Sequence, residues 1–221
     1  MWTEYPTCHV ATFEQRSPEW FKLRTGALTG SIAAEWGGET QTDLKQLAQR
    51  ICGLISIPIN DAMRNGTMAE PIIRDWYSSY VKTSINEVGM GIWKENPIFR
   101  ASPDGLMTID GRDLVVEIKA PKKLYRQLIS HAEATEKGYT PSGTSHIFRS
   151  HYAQMTATCA VFGRKACDYV VVSLESGRAY CERISFDEDY WNRLRNHGEL
   201  FYDNFVKPCL EEHGLERTDP V

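Results

Sequence analysis

The chain has 221 residues, 42% of them apolar and 24% charged, with a formal net charge of −4. A chain this long buries well over half of its unfolded surface without a disulfide or metal staple, and 16 glycines and 10 prolines exclude collagen-like, low-complexity and wholly disordered classes. No apolar run reaches the roughly 18–20 residues of a membrane span, and Met1-Trp2-Thr3-Glu4-Tyr5 lacks a signal peptide's basic and apolar regions, so a soluble cytoplasmic protein with no membrane partner is expected.

Ser17-Pro18-Glu19-Trp20 predicts a short helix. Ser caps it, Pro fits the first helical position, Glu suits the positive end, and Gly26 closes it. A second helix is predicted from Ser31 and a third over residues 43–54. Residues 67–80 read as a helix with apolar Ile72, Ile73, Trp76, Tyr77 and Tyr80, and Pro71 is placed in its first turn, where a missing N–H costs little. Residues 97–101 are extended and run into Ser102-Pro103-Asp104-Gly105. Residues 106–109 and 114–119 flank Asp110-Gly111, a hairpin signal. A connection with Gly138, Pro141 and Gly143 leads to a helix over 146–162, ended by Gly163. Residues 169–174 and 178–184 form another hairpin around Gly177, and Ser185 opens a C-terminal helix. The expected fold class is α/β, an α+β mixed sheet flanked by helices. A single domain is expected over 1–221, with N-terminal helices at 17–60, a core at 61–184 and a C-terminal helix at 185–213.

The acidic total hides an asymmetry. Residues 187–221 hold nine acids against four bases, whereas residues 112–130 hold five bases against two acids. A basic strip thus survives that could meet nucleic acid, whose binding is driven by cationic side chains. The six cysteines, at 8, 52, 159, 167, 181 and 209, show no metal-ligand spacing and read as reduced thiols. The histidines, at 9, 131, 146, 151, 197 and 213, show none either, and no role is assigned to them.

Asp104, Glu117 and Lys119 carry the chemistry. On a strand, Glu117 and Lys119 share a face, and the hairpin can bring the Asp104 carboxylate beside Glu117. Two carboxylates in one cleft repel, and a divalent cation removes that penalty. Oxygen-only ligands suit Mg²⁺, or Mn²⁺, rather than Zn²⁺. Bland readings stand beside this one: an edge strand with a solvated ion pair, an Asp-Gly turn, a Thr67/Glu70 capping box, and Ser31 as a helix cap.

Together Pro103-Asp104 and Glu117-Ile118-Lys119 resemble the PD-(D/E)xK nuclease core, a restriction-endonuclease-like fold. Gly66-Thr67-Met68-Ala69-Glu70-Pro71 resembles the Gly-x-x-x-Glu-Pro helix motif ahead of it. Trp20-Phe21-Lys22-Leu23-Arg24-Thr25-Gly26 with Thr29-Gly30-Ser31, and Tyr152-Ala153-Gln154-Met155, are similar to motifs of the lambda-type phage exonucleases, the YqaJ viral recombinase family. The resemblance implies a 5′→3′ exonuclease that degrades one strand of linear duplex DNA to mononucleotides and leaves 3′ overhangs. It implies that Asp104, Glu117 and the Ile118 carbonyl hold Mg²⁺, with Glu70 serving the same or a second ion. Lys119 would orient and help deprotonate the attacking water, and Gln154 would position that water or a metal-bound ligand. Arg24, Ser31 and Ser102 would bind the 5′-phosphate, with Trp20 near the strand split. The family's further phosphate-binding arginine aligns with Tyr125, so Arg126, or Lys122 and Lys123, would stand in for it. The resemblance also implies a homotrimer and a partner that anneals single strands. The rivals are an endonuclease of the same core, structure-specific or restriction-type, and a catalytically inactive DNA-end-binding module. The complete Asp104, Glu117, Lys119 set speaks against the latter.

Overall fold

The computed structural model of the protein describes residues 2–139 and 141–220; Met1, Thr140 and Val221 lie outside the described residues. The N-terminal half runs β1 (Trp2–Glu4), β2 (Cys8–Ala11), α1 (Pro18–Arg24), β3 (Leu28–Thr29), α2 (Ala33–Trp36), α3 (Leu44–Ile51), α4 (Asp61–Val81), β4 (Gly91–Trp93) and β5 (Phe99–Ala101). These strands form a five-stranded sheet in the order β1-β2-β4-β5-β3, with only β3 and β5 parallel. There follow β6 (Gly105–Ile109), β7 (Arg112–Lys119), α5 (Arg126–Glu136), α6 (Arg149–Phe162), β8 (Ala166–Val172), β9 (Ala179–Ser185), α7 (Glu188–Phe201) and α8 (Lys207–Glu212). The second sheet is β6-β7-β8-β9, in which β7 and β8 are parallel. The expected mixed sheet flanked by helices is present, split in two. Among the described residues no helix is long and apolar enough to cross a membrane.

Several elements form for the reasons their sequences suggest. Ser17 caps α1 by accepting the Trp20 N–H, and Pro18 takes the first helical position. Asp110 and Gly111 both adopt positive φ, 51° and 70°, the requirement of a tight two-residue hairpin. Gly163 ends α6 in the left-handed conformation.

Four expectations are corrected. The helix read from residue 67 starts at Asp61, capped by Asn60 Oδ1, which accepts the Met63 N–H at 2.9 Å. Pro71 therefore lies in the helix interior and Thr67 caps nothing, so Glu70 has no capping-box duty. Ser31 sits in a 3₁₀ turn, Gly30–Ile32, ahead of the four-residue α2 and does not cap a helix. The C-terminal helix is capped by Asp187, while Ser185 is the last residue of β9; a π-helical turn, Tyr202–Val206, joins α7 to α8. Finally, α5 occupies much of the connection after β7 and was not predicted.

Strand β7 is central. Val116 and Ile118 pack with Ile73 and Tyr77 of α4 on one face, and Val115 belongs to the core shared with Ala153, Met155 and Ala157 of α6 on the other. The solvated-edge reading of Glu117 and Lys119 is therefore excluded, because both faces of their strand are covered.

Asp168 on β8 pins α4 to this sheet. It is 2% exposed, accepts the Tyr77 hydroxyl at 2.8 Å and takes two bonds from Arg183, at 2.7 and 3.0 Å. Arg183 keeps over a third of its side chain in solvent and can rehydrate when unpaired. Asp168→Ala is expected to cost about 3 kcal/mol, the low end for breaking a buried pair, measured by urea unfolding at neutral pH.

Candidate active site

Pairing of Gly105 with Val116 sets Asp104, just ahead of β6, beside Glu117, and Asp104 Oδ2 accepts the Ile118 N–H at 2.7 Å. Glu117 is 1% exposed. Its Oε1 accepts from Lys119 Nζ at 2.7 Å, and the same ammonium donates to Gln154 Oε1 of α6 at 2.9 Å. From α4 comes Glu70, buried, with Oε2 accepting from the Arg16 guanidinium at 3.0 Å.

Crowding three carboxylates in a buried space has electrostatic consequences. Burial, then the Glu117 and Glu70 charges, hold the Asp104 carboxyl well above the usual range. Burial also raises Glu117, against the pull of Lys119. Burial opposes the charge on Lys119, but Glu117 and Asp104 outweigh it and lift its pKa, so the ammonium stays protonated.

Glu117 Oε2 is buried and has no hydrogen-bond partner among the described residues. A buried orphan oxygen costs free energy unless something pairs with it. A divalent cation shared with Asp104 and Glu70 would satisfy that atom and reverse the repulsion. The donors are all oxygens, so a hard ion of the Mg²⁺ or Mn²⁺ type fits.

A second group lies in the same cleft. Leu23 buries α1 with Ala11, Met90 and Ile92, which turns Trp20 and Arg24 toward the opening. Trp20 Nε1 donates to Ser102 Oγ at 3.1 Å. Arg24 stacks over the Trp20 ring, 4.6 Å from its centroid, and donates to Ser31 Oγ at 3.0 Å and Thr29 Oγ1 at 3.2 Å. Among the described residues no carboxylate pairs with Arg24, and burial alone lowers its pKa to about 10. A cationic fork among hydroxyls, with no carboxylate partner among the described residues, has the donor chemistry to take a phosphate.

Trp20, Arg24, Ser31, Glu70, Ser102, Asp104, Glu117, Ile118, Lys119 and Gln154 all line one cleft of about 610 Å³. Arg126 does not: it is the exposed first residue of α5, and Tyr125 lines the cleft in its place. Two further charged residues stand at this site without a clear mark in the sequence. Arg74 donates to the Asp104 carbonyl at 2.7 Å and pairs with Glu87 at 2.9 Å; its place four residues after Glu70 on one helix was the available signal. Arg16 sits in an irregular segment at φ 67°, where no periodicity could point to it.

The family model described as "YqaJ-like viral recombinase domain" matches residues 19–165. Among solved structures, the chain is similar to an alkaline exonuclease (LHK-Exo) from Laribacter hongkongensis, with 25% identity, 90% of this chain and 96% of that chain covered, and a TM-score of 0.66. The same enzyme in complex with dAMP gives 24% identity, 90% and 98% coverage, and a TM-score of 0.66. A phage related exonuclease from Haemophilus somnus 129PT shares the fold at 12% identity, with 84% and 96% coverage and a TM-score of 0.61. A search of curated proteins gives no match.

Proposed function

The chain belongs to the YqaJ-like viral recombinase domain family and is a deoxyribonuclease of the exonuclease type, and from this premise we propose that it is a Mg²⁺-dependent 5′→3′ exonuclease. It removes mononucleotides from the 5′-phosphorylated strand of linear duplex DNA and leaves a 3′ overhang for an annealing partner. The observation that carries this reading is the pairing, in one cleft, of the orphaned Glu117 carboxylate oxygen with an arginine–hydroxyl pocket that has no carboxylate partner among the described residues. The dAMP complex of the Laribacter enzyme, a mononucleotide on a protein of this fold, supports it.

Asp104, Glu117, Glu70 and the Ile118 carbonyl would hold one or two divalent ions, which would supply Lewis-acid neutralisation of the phosphate and lower the pKa of the attacking water. Arg24, Ser31 and Ser102 take the terminal 5′-phosphate and set the register of the strand, so the scissile bond falls at a fixed distance from the carboxylates. Trp20, held by Ser102 and covered by Arg24, presents its ring at the strand split. Lys119, as an ammonium, orients the water and stabilises the negative charge that develops on it, and Gln154 holds the lysine side chain in place. The protein forms a homotrimer in this reading, through which one strand leaves.

Digestion of linear and closed-circular duplex DNA in Mg²⁺ tests the proposal. Linear DNA with 5′-phosphate should be degraded and circles left intact; cleavage of circles would establish the endonuclease instead. Arg24→Ala should reduce the preference for 5′-phosphate over 5′-hydroxyl ends by roughly 10–100-fold, the worth of one charge-assisted contact of about 1.5–3 kcal/mol. An unchanged preference would place the phosphate elsewhere.

A further inference from the structure

The row of residues that crosses the second sheet at Glu117 continues away from the cleft. Glu117 is in register with Tyr169 on β8, and Tyr169 with Glu182 on β9. Directly paired residues project to the same face, so Glu182 lies on the face of the sheet that carries Glu117. Two strand spacings, roughly 10 Å, separate the two rows of side chains. Above β9 packs α5, and the chain returns ahead of α6 through His146. This convergence brings together His131 of α5, His146 and Glu182, with one potential ligand atom from each lying within 4.8 Å of the others. No sequence spacing announces the group, because its members come from three separate segments.

We propose that His131, His146 and Glu182 form a site for a transition-metal dication of the zinc type, distinct from the hydrolytic centre, which staples α5 to the sheet edge beside the cleft. The donor chemistry sets it apart. The hydrolytic centre offers oxygens only, whereas two imidazoles and a carboxylate form a set that zinc accepts and Mg²⁺ does not favour. The carboxylate is already oriented: the Tyr180 hydroxyl donates to Glu182 Oε2 at 2.5 Å, an outer contact of the kind that tunes a metal ligand. His146 is 8% exposed and its Nε2 lies 2.6 Å from the same oxygen. The His131 ring stacks on His146 at 3.6 Å between centroids and 7° between planes.

That stack also defines what binding requires. Lone pairs lie in the ring planes, so parallel rings cannot both aim a nitrogen at one ion. His131, partly exposed on α5, must turn out of the stack, while the buried His146 and the tethered Glu182 stay in place. Three protein ligands leave a fourth position for water. Tyr125, the residue before α5, lines the catalytic cleft, so fixing α5 also fixes one wall of that cleft.

The test uses the full chain in excess Mg²⁺, which fills the oxygen-only centre. Zn²⁺ is titrated by calorimetry, and Co²⁺ is used as an optical probe of tetrahedral ligation. One Zn²⁺ per chain, a raised Tm and a Co²⁺ spectrum bleached by Zn²⁺ are expected. His131→Ala should weaken Zn²⁺ binding by more than about tenfold, and Tyr180→Phe by about tenfold. His131→Ala should keep its nuclease activity in Mg²⁺, which also shows that it folds. Cys181→Ser, a change at the exposed thiol of β9, should leave zinc binding intact. Zinc binding by His131→Ala as tight as in the parent, or no uptake by the parent at micromolar Zn²⁺, would overturn the site and leave a stacked pair beside a carboxylate.

Discussion

Asp104→Asn is expected to slow hydrolysis by orders of magnitude while raising the Tm of the metal-free protein. The side chain keeps its shape, and its amide oxygen can still accept the Ile118 N–H now held by Oδ2 at 2.7 Å. What disappears is a negative charge buried beside Glu117 and Glu70, the arrangement that holds the Asp104 pKa well above its ordinary value. A carboxyl raised on folding binds its proton more tightly in the native state than in the unfolded chain. Its contribution to stability is thus fully present below the ordinary Asp range and is lost as pH rises through the folded pKa. Metal-free parent should therefore lose stability as pH rises above the ordinary Asp range, and the Asn variant should lose less. A gain of about 1–2 kcal/mol for the variant at the alkaline end corresponds to a Tm roughly 2–8 °C higher for a chain of this size. Adding Mg²⁺ should close the gap by stabilising the parent alone. Activity should fall about 10²–10⁴-fold, the several kcal/mol that a correctly held ion provides. A lower Tm without metal would show that Asp104 serves the hairpin rather than an ion.

The same cluster shows what sequence could and could not reveal. Asp104, Glu117 and Lys119 were legible because a two-residue turn and a period of two are local rules, and local rules place three side chains on one hairpin. Burial of β7 on both faces was not legible, since Glu-x-Lys on an isolated strand looks like a wet edge. Glu70 was obscured by its neighbours: Thr67 and Pro71 imitate a helix start, and only the Asn60 cap shows that the helix is already under way. Helix α5 escaped because Leu128 is its one buried residue, which leaves no apolar stripe to read. Strands β1, β2 and β4, three or four residues each, are too short for alternation to register. His131, His146 and Glu182 needed the tertiary fold to meet.

Lys119→Ala should remove about 10²–10³-fold of kcat, the usual worth of one fixed donor aimed at charge that develops in the transition state, while KM for DNA changes little. The lysine touches Glu117 and Gln154, whereas the end pocket around Arg24 keeps its own hydrogen bonds without it. Divalent-ion affinity should hold or rise, because the ammonium competes for the Glu117 carboxylate, and titration of Mn²⁺ by calorimetry measures this. Full activity in the variant would remove Lys119 from the mechanism. Gln154→Ala then separates two roles for the glutamine. If it only holds Lys119, the single change should cost about tenfold and the double variant should be no slower than Lys119→Ala, the non-additivity expected of residues acting as one unit. A further loss in the double variant would mean that Gln154 meets the water or phosphate directly, and the 2.9 Å bond to Lys119 would then be a contact of the resting site rather than its purpose.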